Sequence, residues 1–170
     1  MFENEIIVQV IGVFLIGMTL LTPQAKSRKS MLVIILMANL LSCALFFFAR
    51  ASAGFLGLIV TTIRSFVYWQ YASRNKKPQF FVLNLFIVLQ IAATIIGWEA
   101  WFSVLTFALL LNTYGQWQTN EKILRVCLLG SAVALGIYCI FTHAYTGAVN
   151  KFIQAFSATI ALHRFKKSDN

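Results

Sequence analysis

Two cationic side chains, Arg64 and Lys151, lie within long apolar segments of the sequence, in TTIRSF and VNKFIQ. A charge at membrane depth costs at least about 2.5–3.5 kcal/mol on insertion scales, so such a residue usually faces a bundle interior or a water-filled cavity. The apolar segments contain no Asp or Glu, and Glu99, at a segment end, is the one candidate partner for Lys151. A cavity with this positive charge would attract an anionic or carbonyl-rich solute. The alternative is that the long stems carry both charges to the interface.

Hydroxyl and amide side chains accompany both cations. Thr61 and Thr62 precede Arg64, while Asn150 and Gln154 flank Lys151 and, four residues apart, share a helix face. For the amides in other segments, such as Asn84 and Gln90, we favour interhelical hydrogen bonds, worth on average about 0.6 kcal/mol each. The predicted substrate-binding residues are Thr61, Thr62, Arg64, Asn150, Lys151 and Gln154.

The composition requires a lipid environment for the elements that hold these residues. Of the 170 residues, 59% are hydrophobic and 11% are charged, whereas soluble domains are typically about 45–50% apolar and about 25% charged. A water-soluble fold of this length could not cover so much apolar surface. In lipid the backbone must satisfy its own hydrogen bonds, so we expect an all-α transmembrane fold.

Continuous apolar runs predict seven membrane-spanning helices. Residues 80–117 could be one long apolar stretch, but Gly97-Trp98-Glu99-Ala100-Trp101 indicates a tight turn at the interface, where Trp is enriched. The acidic residues Glu3 and Glu5 precede the first run, and this is not the pattern of a cleaved signal peptide. The predicted spans are 6–22, 31–48, 53–72, 80–97, 100–117, 123–141 and 145–163.

The basic residues predict the orientation. With seven spans, eleven Lys and Arg residues fall on one side, in the connections 23–30, 73–79 and 118–125 and in the C-terminal tail. The other side has Arg50 as its one basic residue. Cytoplasmic loops are enriched in Lys and Arg. We therefore expect the N-terminus outside and the C-terminus in the cytoplasm.

The chain contains a weak internal repeat. A shift of 93 residues aligns spans 1–3 with spans 5–7 without a gap, and FARASAG then aligns with FTHAYTG. One intervening helix leaves both triplets with the same orientation, which is the parallel-repeat arrangement of small transporters. The predicted organisation is a triplet in residues 1–79, a linker helix in 80–97 and a second triplet in 98–170.

The first half of the chain resembles a known family. The segments GVFLIGMTLLTPQAKSRKSMLV and FFFARASAGFLGLIVTTIRSFVYW resemble the YgjV-type bacterial inner-membrane proteins, which share a glycine-containing first span, a basic first connection and an Ile-Arg pair in span 3, here Ile63-Arg64. The resemblance implies the bacterial inner membrane and a distant similarity to SWEET, PQ-loop and PnuC-type carriers. A SWEET-like site would use an Asn in spans 3 and 7. This chain offers Asn150 but only Thr61 or Thr62 in span 3, which argues against sugar as the substrate.

The sequence lacks the motifs of several common kinds of catalytic and binding site. The sequence has no zinc-protease, nucleophile-elbow or phosphate-loop motif, and its three cysteines lie singly in apolar runs. We therefore expect no enzyme activity, no metal and no cofactor. The net charge of +9 lies in short interhelical clusters, so nucleic acid is not an expected partner. Because no Asp or Glu lies inside a span and the two histidines, His143 and His163, lie at span ends, passive transport is favoured over proton coupling.

Two functional hypotheses follow from these observations. The first is a passive transporter that works by alternating access between the two triplets and carries a small polar metabolite, with anions among the candidates. The second is a non-transporting scaffold, regulatory subunit or lipid-interacting protein, in which Arg64 faces a lipid headgroup or a partner helix. The expected partners are the lipid bilayer and an unknown small solute, and the chain is either a monomer or a homo-oligomer.

Overall fold

The computed structural model of the chain describes residues 2–48, 55–96, 102–143 and 145–166. In these ranges the fold is all-α, with seven helices, and their ends lie within four residues of the predicted spans. The predicted turn at Gly97–Trp101 and the predicted outer charge Arg50 lie outside the described residues. The helices are α1 (Phe2–Gln24), α2 (Arg28–Phe48), α3 (Phe55–Ser73), α4 (Phe80–Ile96), α5 (Phe102–Trp117), α6 (Glu121–Phe141) and α7 (Tyr145–Lys166).

Local capping residues set several helix ends. The Ser27 hydroxyl accepts a hydrogen bond from the backbone N–H of Ser30 at 3.2 Å, and the Asn120 side chain accepts from the N–H of Lys122 at 2.9 Å. Both are N-cap contacts, which satisfy donors that the first helical turn leaves free. At the end of α3, Asn75 has a φ of 51°, and the N–H of Lys76 reaches the carbonyl of Tyr71 at 2.9 Å. This is a Schellman motif with Asn at the left-handed position.

Helices that follow one another in sequence pack against one another, from α1 with α2 to α6 with α7. The most extensive further contacts between distant parts of the described chain join α1 with α7 and α3 with α5. A buried apolar cluster lies at the meeting of α2, α3, α4 and α6. It comprises Met31, Leu32, Ile35, Tyr68, Ala72, Phe86, Leu124 and Leu128.

The helix ends reproduce the 93-residue shift found in the sequence. Helix α2 runs from 28 to 48 and α6 from 121 to 141, and the ends of α1 and α5 (24 and 117) have the same separation. Two hydrogen bonds between the triplets are related by the same 93-residue shift. Arg64 of α3 donates to Thr113 of α5, while Ser157 of α7 donates to the Leu20 carbonyl of α1 at 2.8 Å. Each member of one pair is 93 residues from its counterpart in the other, which supports the 3+1+3 arrangement.

The described surface is apolar and the described interior is unusually polar. Large apolar side chains such as Val13, Phe81 and Phe156 are about 70% exposed, whereas threonine, serine, glutamine and arginine side chains are buried. By length and hydropathy alone, Glu121–Phe141 qualifies as a membrane span in the described chain, and Gln9–Gln24 and Phe80–Ile96 are apolar but shorter. The division of the chain at residues 79 and 97 stays a prediction.

Candidate functional site

Arg64 lies at the centre of the polar interior, between α3 and α5. Its side chain is fully buried, and Nη1 donates to the hydroxyl of Thr113. Its other two guanidinium nitrogens, Nε and Nη2, are also buried and have no hydrogen-bond partner among the described residues. A buried charge without compensation is costly, so such a cation normally has a carboxylate or another oxygen-rich partner. Arg64 has capacity for one.

A chain of hydrogen bonds fixes the helices around Arg64. Asn39 of α2 donates to the Ser65 hydroxyl at 2.9 Å, and Ser65 donates to Oε1 of Gln116 at 3.1 Å. The Gln116 amide then donates to Oδ1 of Asn112, one turn back on α5, at 3.0 Å. This network joins α2, α3 and α5. It therefore holds the backbone on both sides of Arg64 in a defined register.

The two predicted threonines have separate surroundings. Thr61 is buried beside Arg64 on α3, its hydroxyl donates to the Gly57 carbonyl, and its own carbonyl lies 3.4 Å from the Asn39 amide. Thr62 is half-buried, donates to the Leu58 carbonyl at 2.7 Å and lies 3.5 Å from the sulfur of Cys43. Thr61 thus shares the inner face of α3 with Arg64, whereas Thr62 turns toward α2.

The three predicted residues of α7 belong to a second polar group, at the α1–α7 contact. Oδ1 of Asn150 accepts a hydrogen bond from the Thr19 hydroxyl at 3.1 Å. Lys151 is half-buried and its ammonium lies 3.4 Å from Oε1 of Gln154. No hydrogen bond joins α3 to α7 among the described residues. The structure therefore distributes the six predicted residues over two places, one at α3–α5 and one at α1–α7.

Arg125 is a buried cation that the sequence analysis assigned to a basic connection. Its Nε donates to the Pro23 carbonyl at 3.1 Å and its Nη2 to the Ala25 carbonyl at 2.8 Å, so it satisfies carbonyls that the end of α1 leaves free. Its guanidinium stacks over the Phe165 ring, 4.0 Å from the centroid, and lies 3.8 Å from the Glu121 carboxylate. Arg125 is thus fully engaged in joining the triplets, and a contact to a distant carbonyl has no signal in the sequence.

Two further polar side chains near Arg64 are buried without partners among the described residues. The Tyr68 hydroxyl, one turn after Arg64 on α3, is one of them. Gln90 of α4, whose two polar atoms are both unpaired in this part of the chain, is the other. Its amide would lie 3.9 Å from a Cβ added at Gly57, so it faces the same side of α3 as Thr61. The sequence analysis assigned Gln90 to interhelical hydrogen bonding, and the structure gives it no such bond to a described residue.

An apolar exterior, a polar interior and parallel helix triplets define a helical membrane protein. A family model described as a bacterial inner membrane protein, Imp-YgjV, matches residues 6–169. The chain belongs to this family of bacterial inner membrane proteins, which confirms the resemblance seen in the sequence. No curated protein and no solved structure matches the chain, so the similarity to SWEET, PQ-loop and PnuC-type carriers stays a prediction.

Proposed function

We propose that this protein is a passive transporter of a small polar, anionic metabolite across the bacterial inner membrane. The observation that carries the proposal is the buried guanidinium of Arg64, with two unpaired nitrogens among the described residues. Of the five acidic residues, Glu121 is the one whose side chain the structure describes, and it contacts Arg125 and the Arg28 backbone. An anionic solute at Arg64 would supply the missing counter-charge.

The position of Arg64 suits alternating access. It lies at the α3–α5 contact, where the first predicted triplet meets the second. In transporters built from repeats, substrates bind near the repeat interface and movement of one repeat against the other opens the site to each side. A solute that bridges α3 and α5 would therefore be exposed when these helices separate.

The membrane orientation belongs to the same proposal. The exposed cations Lys29, Lys76 and Lys122 lie in or beside the connections that follow odd-numbered helices. If these connections face the cytoplasm, the N-terminus lies outside and the C-terminus inside. We also propose that the protein has no enzyme activity and needs no metal or cofactor. Its partners would be lipid and the solute, and it would act as a monomer or homo-oligomer.

Thermal unfolding of the purified full-length protein in detergent, screened against a metabolite panel, tests solute binding. A ligand at 100 times its Kd stabilises the native state by about 2.7 kcal/mol. We expect stabilisation by solutes of one anionic class, its loss in Arg64→Ala, and its retention in Arg74→Ala, which removes an exposed arginine of the α3–α4 connection. Uptake of the stabilising solute into proteoliposomes then tests transport, and solute-dependent flux that persists in Arg64→Ala contradicts the proposed role.

A membrane-impermeant thiol reagent distinguishes the transporter from the scaffold. Single cysteines at Thr61, Arg64, Asn150 and Gln154 are introduced into a chain without its three native cysteines. A transport pathway predicts labelling at Thr61 and Arg64, and at Thr61, where Arg64 is intact, a change in rate when solute is added. Protection of all four positions would favour a dry bundle and the scaffold function.

A further inference from the structure

The unpaired atoms of Arg64 form one complete hydrogen-bonding edge of its guanidinium group. Nη1 is used by Thr113, and the atoms left over, Nε and Nη2, lie side by side on the same edge of the planar guanidinium. This edge donates two parallel hydrogen bonds, the geometry with which arginine binds carboxylates and phosphates. A fully buried side chain thus presents a two-point donor fork.

A second arginine approaches the same part of α5. Arg28, the first residue of α2, donates Nη2 to the Gln116 carbonyl at 3.1 Å. Gln116 lies three residues after Thr113, which is the partner of Arg64. Residues with this spacing are neighbours on a helix, with Cβ atoms about 5–6 Å apart. The Nε of Arg28 is buried and has no partner among the described residues. Both arginines therefore bring unused donors to one region.

Tyr68 lies near both arginines. It follows Arg64 by one turn of α3, and its ring packs in the buried cluster with Met31 and Leu32, which begin the next turn of α2 after Arg28. The Tyr68 side chain lies within electrostatic range of both the Arg28 and the Arg64 guanidiniums. The Tyr68 hydroxyl has no partner in the described chain, so it offers a further hydrogen bond to a ligand held by both arginines.

The local charge favours a doubly charged ligand. Oε1 of Glu121 accepts from the Arg28 backbone N–H at 3.0 Å, and its Oε2 lies 3.8 Å from Nη2 of Arg125. The guanidiniums of Arg28 and Arg64 contact no carboxylate of a described residue, whereas that of Arg125 lies beside Glu121. Two positive charges remain, which one dianion would neutralise. A monocarboxylate would leave one of them uncompensated inside the protein.

We propose that Arg28, Arg64 and Tyr68 form a phosphate-binding site that takes a phosphomonoester group. A phosphate group carries about −1.5 to −2 charge at pH 7 and three strong acceptor oxygens. Two of these can accept the Nε and Nη2 fork of Arg64, and the third can accept from Arg28 or Tyr68. This inference names the substrate class of the proposed transporter, and it rests on that function for the solute to be cargo. The phosphate could also belong to a lipid headgroup.

The test is binding of inorganic phosphate and glycerol 3-phosphate to the full-length protein in detergent, compared with acetate at equal ionic strength. Equal ionic strength keeps the screening of exposed charges constant. We expect the two phosphates to raise the unfolding temperature and acetate to have little effect. The apparent Kd for glycerol 3-phosphate should rise about tenfold or more in Arg28→Gln and Arg64→Gln, and about threefold in Tyr68→Phe. Arg74→Gln, in an exposed loop, is the matched control and should bind like the native protein.

Two further variants keep the test informative if the glutamine variants do not fold. Arg28→Lys and Arg64→Lys keep the charge but remove the donor fork, so they should fold and still lose affinity. Elution as a single species and an unchanged unfolding temperature without ligand establish that a variant is folded. Phosphate that stabilises the native protein no more than acetate does, or Arg28 and Arg64 variants that bind like the native protein, would overturn the site.

Two comparisons complete the test. The first distinguishes a soluble phosphate ester from a lipid headgroup, and the second distinguishes failure of the phosphate site from failure of the transport proposal. Stronger binding of glycerol 3-phosphate than of phosphatidic acid in mixed micelles identifies a soluble ester as ligand, and the reverse order identifies a lipid headgroup. Either result supports the phosphate site. Arg64-dependent carboxylate flux without phosphate binding refutes the phosphate site and leaves the transporter. Phosphate binding without flux in proteoliposomes refutes transport and leaves the site.

Discussion

At the scale of single residues, burial alone does not define the role of an arginine in this protein. Arg64 and Arg125 are both almost completely buried. Arg125 uses its donors on the carbonyls of Pro23 and Ala25, so its charge is compensated by the end of α1. Arg64 uses one nitrogen on Thr113 and leaves its Nε–Nη2 edge without a described partner. The first pattern is structural, and the second is what a ligand site requires.

The close packing around Gly115 leads to a prediction about stability. A Cβ added at Gly115 would lie 2.6 Å from the Cβ of Cys127, at the contact of α5 with α6. The helices must move apart to accept it, and overpacking of this kind costs about 1–3 kcal/mol. We expect Gly115→Ala to lower the unfolding temperature in detergent. Gly17→Ala is the matched control, because no atom lies within 4 Å of its added Cβ.

The partner of Gly115 sharpens this prediction. Cys127→Ala keeps the Cβ that causes the clash, so it should not rescue Gly115→Ala. Cys127→Gly removes that atom and should restore part of the lost stability. Equal unfolding temperatures for Gly115→Ala and Gly17→Ala would contradict the close packing of α5 on α6.

At the scale of helices, the contacts of α3 with α5 and of α1 with α7 determine which of the predicted site residues meet. Helix α3 packs on α5 and α1 on α7, with pairs of residues related by the 93-residue shift. Residues at matching depths of α3 and α7, which the sequence analysis grouped in one site, therefore lie at different contacts. Thr19, which the sequence analysis did not select, is the partner of Asn150.

Disulfide cross-linking tests this arrangement of helices. The Thr19 and Asn150 side chains are in hydrogen-bond contact at 3.1 Å, so cysteines at these two positions should cross-link on mild oxidation. The control pair, cysteines at Thr61 and Asn150, should remain uncross-linked because no described hydrogen bond joins α3 to α7. Both pairs require a chain without the native cysteines, and cross-linking is read as a mobility shift that reductant reverses. Efficient cross-linking of the control pair alone would indicate a different helix arrangement.

At the scale of the whole molecule, the distribution of polarity differs from that in a soluble protein. The described exterior exposes Val13, Phe81 and Phe156, and the interior holds Arg64, Gln90 and Gln116. Apolar side chains lose nothing by facing lipid tails, whereas polar groups need partners that the bundle interior supplies. This distribution agrees with membership of a bacterial inner membrane protein family.

Labelling of whole cells tests the proposed orientation. Lys76 lies in the exposed α3–α4 connection, and Tyr145 begins α7 at the opposite end of the bundle and is 61% exposed. With the N-terminus outside, an impermeant maleimide should react with a cysteine at Tyr145 in intact spheroplasts. It should react with a cysteine at Lys76 only after permeabilisation. The opposite result would invert the topology, and labelling of both positions from one side would refute seven spans.

The sequence by itself determined the number of helices, their ends to within four residues and the family. Apolar run length, basic clusters and short connections are local properties, and a 93-residue shift is visible without coordinates. The sequence also identified Arg64, because a charge in an apolar run is anomalous wherever the helix packs.

The tertiary structure decided which side chains meet. The tertiary structure places Arg64 and Lys151 at different helix contacts, gives Arg125 its carbonyl partners and brings Arg28 to Gln116 of α5. These placements depend on how each helix is rotated and which distant helix it contacts. Those choices come from packing between segments far apart in the chain, such as Ser157 of α7 against Leu20 of α1. No local pattern records them, because a helix has the same periodicity whichever neighbour covers its polar face.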